Sequence, residues 1–262
     1  GLGRGVKWAA IRNLISKERV DMPCLQETKK EIIDGMVCNA LWGAEENNWK
    51  FLPAINKAGG LLCIWNKKTF IMENKVVGAV FIYLEGIWAV DGSKIAIVNI
   101  YSPCEVSLKR KLWDDISQLR ATNLGALWCI IGDFNNIRRP QERMGLCQRY
   151  QDEGIIKELN EWIADLEVKD VPCIGRKFTW YRPNGTAKSK LNRALVSAEW
   201  ISKWQGTTQF ILDRNFSDHC PILLRSSLDD WGPKPFRILD CWLQDSSFRK
   251  LVCDGWKSNL VN

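Results

Sequence analysis

The sequence predicts an α/β (α+β) domain in which two β-sheets pack together with helices on the outside, and three observations lead there. Hairpin-like pairs of apolar strand segments alternate with amphipathic helical segments, a mixture that buries its faces as packed layers. Chemically capable residues fall repeatedly at strand ends, where a rigid scaffold presents its loops. The 262 residues, 46% hydrophobic and 26% charged, suffice for a sizeable core of ordinary globular composition.

The segments follow in order. Val6 to Arg19 carries Ile11, Leu14 and Ile15 at helical spacing, with basic residues between them. Met22 to Gln26 predicts a short strand ending at Glu27, and Leu61 to Trp65 a second one entered through Gly59-Gly60. Val76 to Leu84 and Trp88 to Val90 read as strands, with Asp91-Gly92 as the hairpin turn into Lys94 to Ile100. Ser107 is placed to cap a helix whose apolar positions are Leu108, Leu112, Ile116 and Leu119. Leu127 to Ile131 predicts a buried strand ending at Gly132-Asp133. Gly154 to Leu166 predicts an amphipathic helix with Ile155, Leu159, Trp162, Ile163 and Leu166 on one face. Phe178 to Tyr181, Leu191 to Val196 and Pro221 to Leu224 complete the strands. Trp231-Gly-Pro-Lys-Pro reads as a linker, and Phe236 to Asn262 as a helix or the start of another segment.

Composition narrows the setting. The 37 Lys+Arg against 30 Asp+Glu leave a net charge of +7, which favours polyanionic partners and equally suits a basic protein with a solvated surface. No apolar run approaches the ~18 residues of a membrane span. Gly1-Leu-Gly-Arg-Gly-Val-Lys-Trp lacks the pattern of a signal peptide and an initiator Met, so the chain is expected to be cut at the front. None of the ten cysteines forms a C-x-x-C pair, and Cys24, Cys63 and Cys129 sit in apolar runs. That predicts small buried hydrophobes in a reducing compartment, cytosolic or nuclear, with neither disulfides nor zinc.

Four stretches carry chemistry. In Cys24-Leu-Gln-Glu27-Thr28 a carboxylate follows an apolar strand. Oxygen ligands of that kind suit Mg²⁺, although a solvated strand-end glutamate looks the same. In Ile130-Ile-Gly-Asp133-Phe-Asn135 a carboxylate and an amide stand two apart on one face of an extended segment. The pair could orient a nucleophile and hold a phosphate oxygen, or form an Asx-type turn. In Asn99-Ile-Tyr101-Ser-Pro103 the phenol can donate to a phosphate oxygen or fill a sheet rim. The fourth, Phe216-Ser-Asp218-His219-Cys-Pro221, holds the only histidine in the chain. Any histidine-dependent proton transfer must therefore happen there, the alternative being a structural imidazole.

Together these stretches resemble, in order and residue type, the endonuclease/exonuclease/phosphatase superfamily over roughly residues 1 to 228. In that family an Asn near the N-terminus is followed by Q-E-T, a Tyr after a strand, G-D-x-N, an L-D-R-like strand and S-D-H. Finer features resemble the endonuclease domain of plant-type non-LTR (LINE-like) retrotransposons. Gly1-Leu-Gly looks like the back half of W-N-x-R-G-L-G. Phe178-Thr-Trp180, Leu191-Asn192-Arg193-Ala-Leu-Val-Ser197 and Trp200 are similar to F-T-W, L-D-R-x-L-V-S and W. Gly232-Pro-Lys-Pro-Phe236 and Trp242 resemble the stretch leading to a reverse transcriptase domain, the partner domain implied in the full-length element.

The resemblance implies a four-layered sandwich of two packed mixed or antiparallel β-sheets flanked by helices, with residues 1–228 as the domain, its N-terminal strand truncated, and 229–262 as linker and tail. It implies a monomer that nicks DNA with Mg²⁺, Mn²⁺ being a substitute. Glu27 and Asp218 would serve the metal. Asp133 and Asn135 would position water and the scissile phosphate, Tyr101 would contact phosphate, and His219 would act as general base or stabilise the phosphorane. Trp180, Arg182 and Lys188 would touch DNA, Trp180 reading equally as core. Two departures stand against activity. The family's first Asn would precede Gly1, and Asn192 stands where the family has the Asp that accepts a hydrogen bond from the catalytic imidazole. An amide accepts that bond but does not stabilise an imidazolium, and by analogy with a triad Asp→Asn the loss of rate spans orders of magnitude. A degenerate remnant, catalytically weakened or inactive and at most binding nucleic acid, is therefore the first alternative, and a member of the phosphatase branch is the second.

Overall fold

The computed structural model describes residues 1–3, 5–43, 46–145, 151–215 and 217–226, with Ser247, Phe248, Lys250, Leu251 and Asp254 beyond them. Two compact units are present, Gly1–Leu228 and Asp229–Asn262. In the second, the five described positions are helical. The expected linker at Trp231–Pro235 and most of the expected tail lie outside the described residues.

The first unit begins with α1 (Val6–Glu18), β1 (Cys24–Gln26), α2 (Gly35–Trp42), β2 (Asn47–Leu52) and β3 (Leu61–Asn66). It continues through β4 (Phe70–Val77), β5 (Phe81–Trp88), β6 (Ser93–Tyr101), α3 (Val106–Thr122), β7 (Leu127–Asp133) and β8 (Arg143–Met144). After α4 (Gln151–Asp165) come β9 (Val168–Asp170), β10 (Cys173–Gly175), β11 (Trp180–Tyr181), β12 (Lys188–Ser189) and β13 (Asn192–Ser197). The last elements are α5 (Ala198–Lys203), β14 (Thr207–Ile211) and β15 (Ile222–Ser226).

The central sheet has the order β4-β5-β6-β7-β13-β9, antiparallel except for the parallel pair β6/β7. That pair is parallel because α3 crosses between its strands, as a parallel connection requires. One face of the sheet buries Tyr83, Val98, Ile130 and Leu195 against Leu112, Trp113 and Ile116 of α3 and Leu159, Trp162 and Ile163 of α4. The other face buries Ile82, Ile97, Cys129 and Val196 against Leu61, Cys63 and Trp65 of β3, with Cys24 and Leu224 packed alongside. Two three-stranded sheets, β1-β3-β2 and β10-β14-β15, supply that second layer. Val37, Cys38 and Leu41 of α2 cover Leu62 and Ile64 on the far side, joined by Trp8 and Ile11 of α1. The result is the expected stack of helices, sheet, sheet and helices.

Several expectations need correction. The run Val76 to Leu84 is two strands, β4 and β5, folded at Gly78, whose N–H donates to Phe81 O at 3.0 Å. Continuous β-branched and aromatic character hid the turn. Trp88 ends β5, and Trp88 to Val90 is no separate strand. Glu105, not Ser107, is the residue before α3, and Ser107 Oγ donates to Glu105 Oε1 at 2.6 Å. In that helix Leu108 is 47% exposed while Lys109 is 3% exposed, the reverse of the pattern predicted from hydropathy. Only Trp180 and Tyr181 of the stretch Phe178 to Tyr181 are strand. Short elements escaped the sequence, notably α2, whose start is capped by Asp34 Oδ1 accepting from Val37 N at 2.9 Å.

Candidate active site

The site grows from three neighbouring strand ends. β7 delivers Asp133, β6 lies parallel beside it with Tyr101 as register partner, and β13 lies antiparallel on the other side with Asn192 opposite Asp133. Tyr101, Asp133 and Asn192 therefore stand in a row although far apart in sequence. Gly132 permits the row. It has φ +144°, and a Cβ there would meet Ile100 O at 2.1 Å, so only glycine lets β6 and β7 approach as they do.

The loop before β15 brings His219 to this row. His219 Nδ1 lies 2.8 Å from Asn192 Oδ1. Facing that oxygen, Nδ1 carries the ring proton and Nε2 is left as an acceptor. Nε2 lies 3.8 Å from Asp133 Oδ2. Buried Thr179 ties the pieces together. Its Oγ1 accepts from Leu191 N and Asn192 N at 2.8 and 2.9 Å, and its carbonyl accepts from Cys220 N at 2.6 Å.

Glu27 follows β1 with φ +50°, and its Oε1 accepts from Tyr101 OH at 2.6 Å while Lys29 Nζ stands 3.6 Å from Oε2. Thus the Tyr101 hydroxyl, expected on phosphate, is engaged with Glu27. Gln26 and Asn99 form the tie beneath them: Gln26 Nε2 donates to Asn99 Oδ1 at 2.6 Å, linking β1 to the central sheet. Asn135 adopts φ +44°. Its N–H donates to Asp133 Oδ1 at 2.9 Å, so the Asx turn exists, and its Nδ2 donates to Ser102 O at 2.7 Å. Asp218 is exposed, and its Oδ2 accepts from Trp180 Nε1 at 3.0 Å. Trp180 is therefore half-buried and directed at the site.

Burial pushes the Asp133 carboxyl above its usual range, opposed by His219, the Asn135 N–H and Lys109. Burial, then the hydrogen bond to Glu27, raises the Tyr101 phenol. At Asp218 burial works against the charge, but the Trp180 N–H and His219 outweigh it and hold the carboxyl below its usual value.

The rim beside Trp180 is cationic. Lys177 and Lys188 lie over the Phe178 ring at 5.5 and 5.1 Å, Arg214 over Tyr181 at 5.2 Å, and Arg182 is exposed. A cavity of about 890 Å³ opens from Glu27, Asp133 and His219 between the edge strands β1 and β15, with Ile97 and Ile131 on its walls.

The sequence profile of the endonuclease/exonuclease/phosphatase family matches residues 6–219, most of the chain and every strand of this row. The chain belongs to the endonuclease/exonuclease/phosphatase family. Its fold is shared with an AP endonuclease from Leishmania major (TM-score 0.61, 18% identity, 82% of this chain and 81% of that one). It is also shared with a 3′ phosphatase from Neisseria, solved with a product DNA hairpin (0.63, 15%, 85% and 95%). A third is the endonuclease domain of TRAS1, a telomere-specific non-LTR retrotransposon (0.62, 10%, 86% and 94%). No curated protein matches the chain.

Members of the endonuclease/exonuclease/phosphatase family generally use divalent metals, and the donors here fit one. Among the described residues no group of three or more His, Cys, Asp or Glu side chains could enclose an ion. Mg²⁺ needs no such cage, since it takes one or two carboxylates and keeps water and phosphate for the rest. Glu27 shares the cavity wall with Asp133 and His219, and Asp218 directly precedes His219 in the chain.

Proposed function

We propose that this chain is a metal-dependent DNA endonuclease domain of a plant-type non-LTR retrotransposon, hydrolysing a phosphodiester to nick its target. The observation that carries the proposal is His219 held by Asn192 with Nε2 directed at buried Asp133, 3.8 Å away. Two proton-accepting groups facing each other suit activation of water and stabilisation of a pentavalent phosphorus centre. Asp133 takes the proton of the attacking water, or His219 Nε2 takes it in its place and then, as a donor, holds a non-bridging oxygen. Mg²⁺ held by Glu27 and Asp218 would offset phosphate charge when bound. The cationic rim of Lys177, Arg182, Lys188 and Arg214 supports a nucleic-acid backbone as substrate. The F-T-W and L-V-S neighbourhoods support the retrotransposon branch over the phosphatase branch.

Domain limits of 1–228 are part of the same proposal. The test is nicking of supercoiled plasmid with Mg²⁺ beside a panel of phosphoinositides. Nicking that EDTA abolishes is expected; phosphate release from the lipids without nicking contradicts it.

Asn192 favours a second reading, a folded but inactive remnant that binds nucleic acid weakly. Its amide holds the ring at 2.8 Å without a charge to stabilise imidazolium. DNA retardation with no nicking, restored by an added upstream W-N-x-R segment together with Asn192→Asp, decides for that reading.

A further inference from the structure

Lys109 lies in the first turn of α3, where the helix dipole disfavours a cation, and it is nevertheless 3% exposed. Burial of an ammonium persists only when its donors are used. Nζ donates to Asn135 O at 2.6 Å and lies 3.4 Å from Phe134 O, and Lys109 engages other groups as well. Both carbonyls belong to the loop that carries Asp133 and Asn135.

That loop needs holding. Asn135 has φ +44°, in the left-handed region that Asn enters more readily than other L-residues when its side chain is hydrogen-bonded locally. Its N–H is on Asp133 Oδ1 and its Nδ2 on Ser102 O. Ser102 lies in the connection from β6 to α3, so the helix that bears Lys109 and the carbonyl that holds Asn135 belong to one segment. Charge-assisted bonds to main-chain carbonyls are the stronger kind, and an apolar residue at this helix position would supply none.

We propose that Lys109 is a positioning residue for the Asp133–Asn135 pair: its buried ammonium fixes the main-chain carbonyls of Phe134 and Asn135, and through them the direction of both side chains. Its meaning for catalysis rests on the nuclease reading above. A structural filler would affect only stability, whereas Lys109 is expected to act on the loop and on turnover.

The experiment compares Lys109→Met and Lys109→Arg with the unaltered chain by amide hydrogen exchange and by plasmid nicking with Mg²⁺. In Lys109→Met the Asn135 amide is expected to exchange about tenfold faster or more while the amides of β7 keep their protection. Nicking kcat is expected to fall roughly tenfold with KM for plasmid unchanged, and Lys109→Arg to stay within about threefold of the unaltered kcat. Unchanged exchange at Asn135, or an unchanged kcat in nicking-competent protein, overturns the proposal. If the unaltered chain nicks nothing, the nuclease reading fails while the exchange comparison still decides the role of Lys109. If Lys109→Met does not fold, Lys109→Gln replaces it in the same two measurements.

Discussion

On the proposed nuclease reading, Asn192→Asp should raise the rate of nicking. The Asn192 oxygen already sits 2.8 Å from His219 Nδ1, and the residue is 6% exposed, so a carboxylate would meet the ring in place and shielded from water. Two unit charges about 4 Å apart interact by ~4 kcal/mol at an effective dielectric near 20. Part of that is lost, because position 192 is the register partner of Asp133, which is 3% exposed, and the new carboxylate is both buried and repelled. A net stabilisation of imidazolium of about 2–3 kcal/mol remains, equivalent to roughly 10²-fold in rate. Single-turnover nicking of supercoiled plasmid with Mg²⁺ measures it. The same crowding should lower the melting temperature of the variant. A rate for Asn192→Asp within about threefold of the unaltered chain refutes the assignment of Asn192 as the partner that limits His219.

Three further outcomes follow from the same geometry. Trp180→Phe keeps the ring but removes the N–H on Asp218 Oδ2, and nicking kcat should fall about tenfold, the loss of one charge-assisted bond, without a large change in melting temperature. Asp133→Asn should stabilise the fold while abolishing nicking. Burial raises the Asp133 carboxyl, so the folded state binds that proton more tightly than the unfolded chain, and stability falls as pH rises from the ordinary carboxylate range through the raised value. Thermal melts at neutral pH should show a higher melting temperature for the variant, a gain absent at pH values below the ordinary carboxylate range. Arg193→Met removes a guanidinium with no exposed surface that bonds Asp170 Oδ2 at 2.8 Å and Glu142 Oε2 at 2.9 Å. Denaturant unfolding should show a loss of about 3–5 kcal/mol, because two carboxylates lose a buried partner.

Much of the site was legible because it lies where apolar strands stop. Asp133 and Tyr101 each close a hydrophobic run, Asn192 opens a strand, and His219 is unique in the chain. Their alignment was not legible, since the row Tyr101–Asp133–Asn192 is set by pairing between β6, β7 and β13, which no local pattern encodes. Trp180 illustrates a choice that sequence left open between core and DNA contact; the structure directs its N–H to Asp218. Thr179 gave only the motif, not the four bonds it makes to the backbone of its neighbours. Lys109 was concealed by its own charge. Helical periodicity assigned Leu108 to the buried face, and a loop carbonyl far along the chain draws Lys109 inward instead. The turn at Gly78 was missed because apolar residues continue through it without a polar break, and α2 because its eight residues are too few to show a helical period.

The most direct measurement is the Mg²⁺-dependent nicking rate of His219→Ala beside that of the unaltered chain and of Asn192→Asp. Removal of the imidazole takes away the group held by Asn192 and facing Asp133, so the rate should fall at least about 10²-fold below the unaltered chain. Adding Asn192→Asp to His219→Ala should then recover nothing, since the charge at position 192 acts only through the ring. Nicking retained in His219→Ala, or recovered by Asn192→Asp in its absence, contradicts a site built on His219.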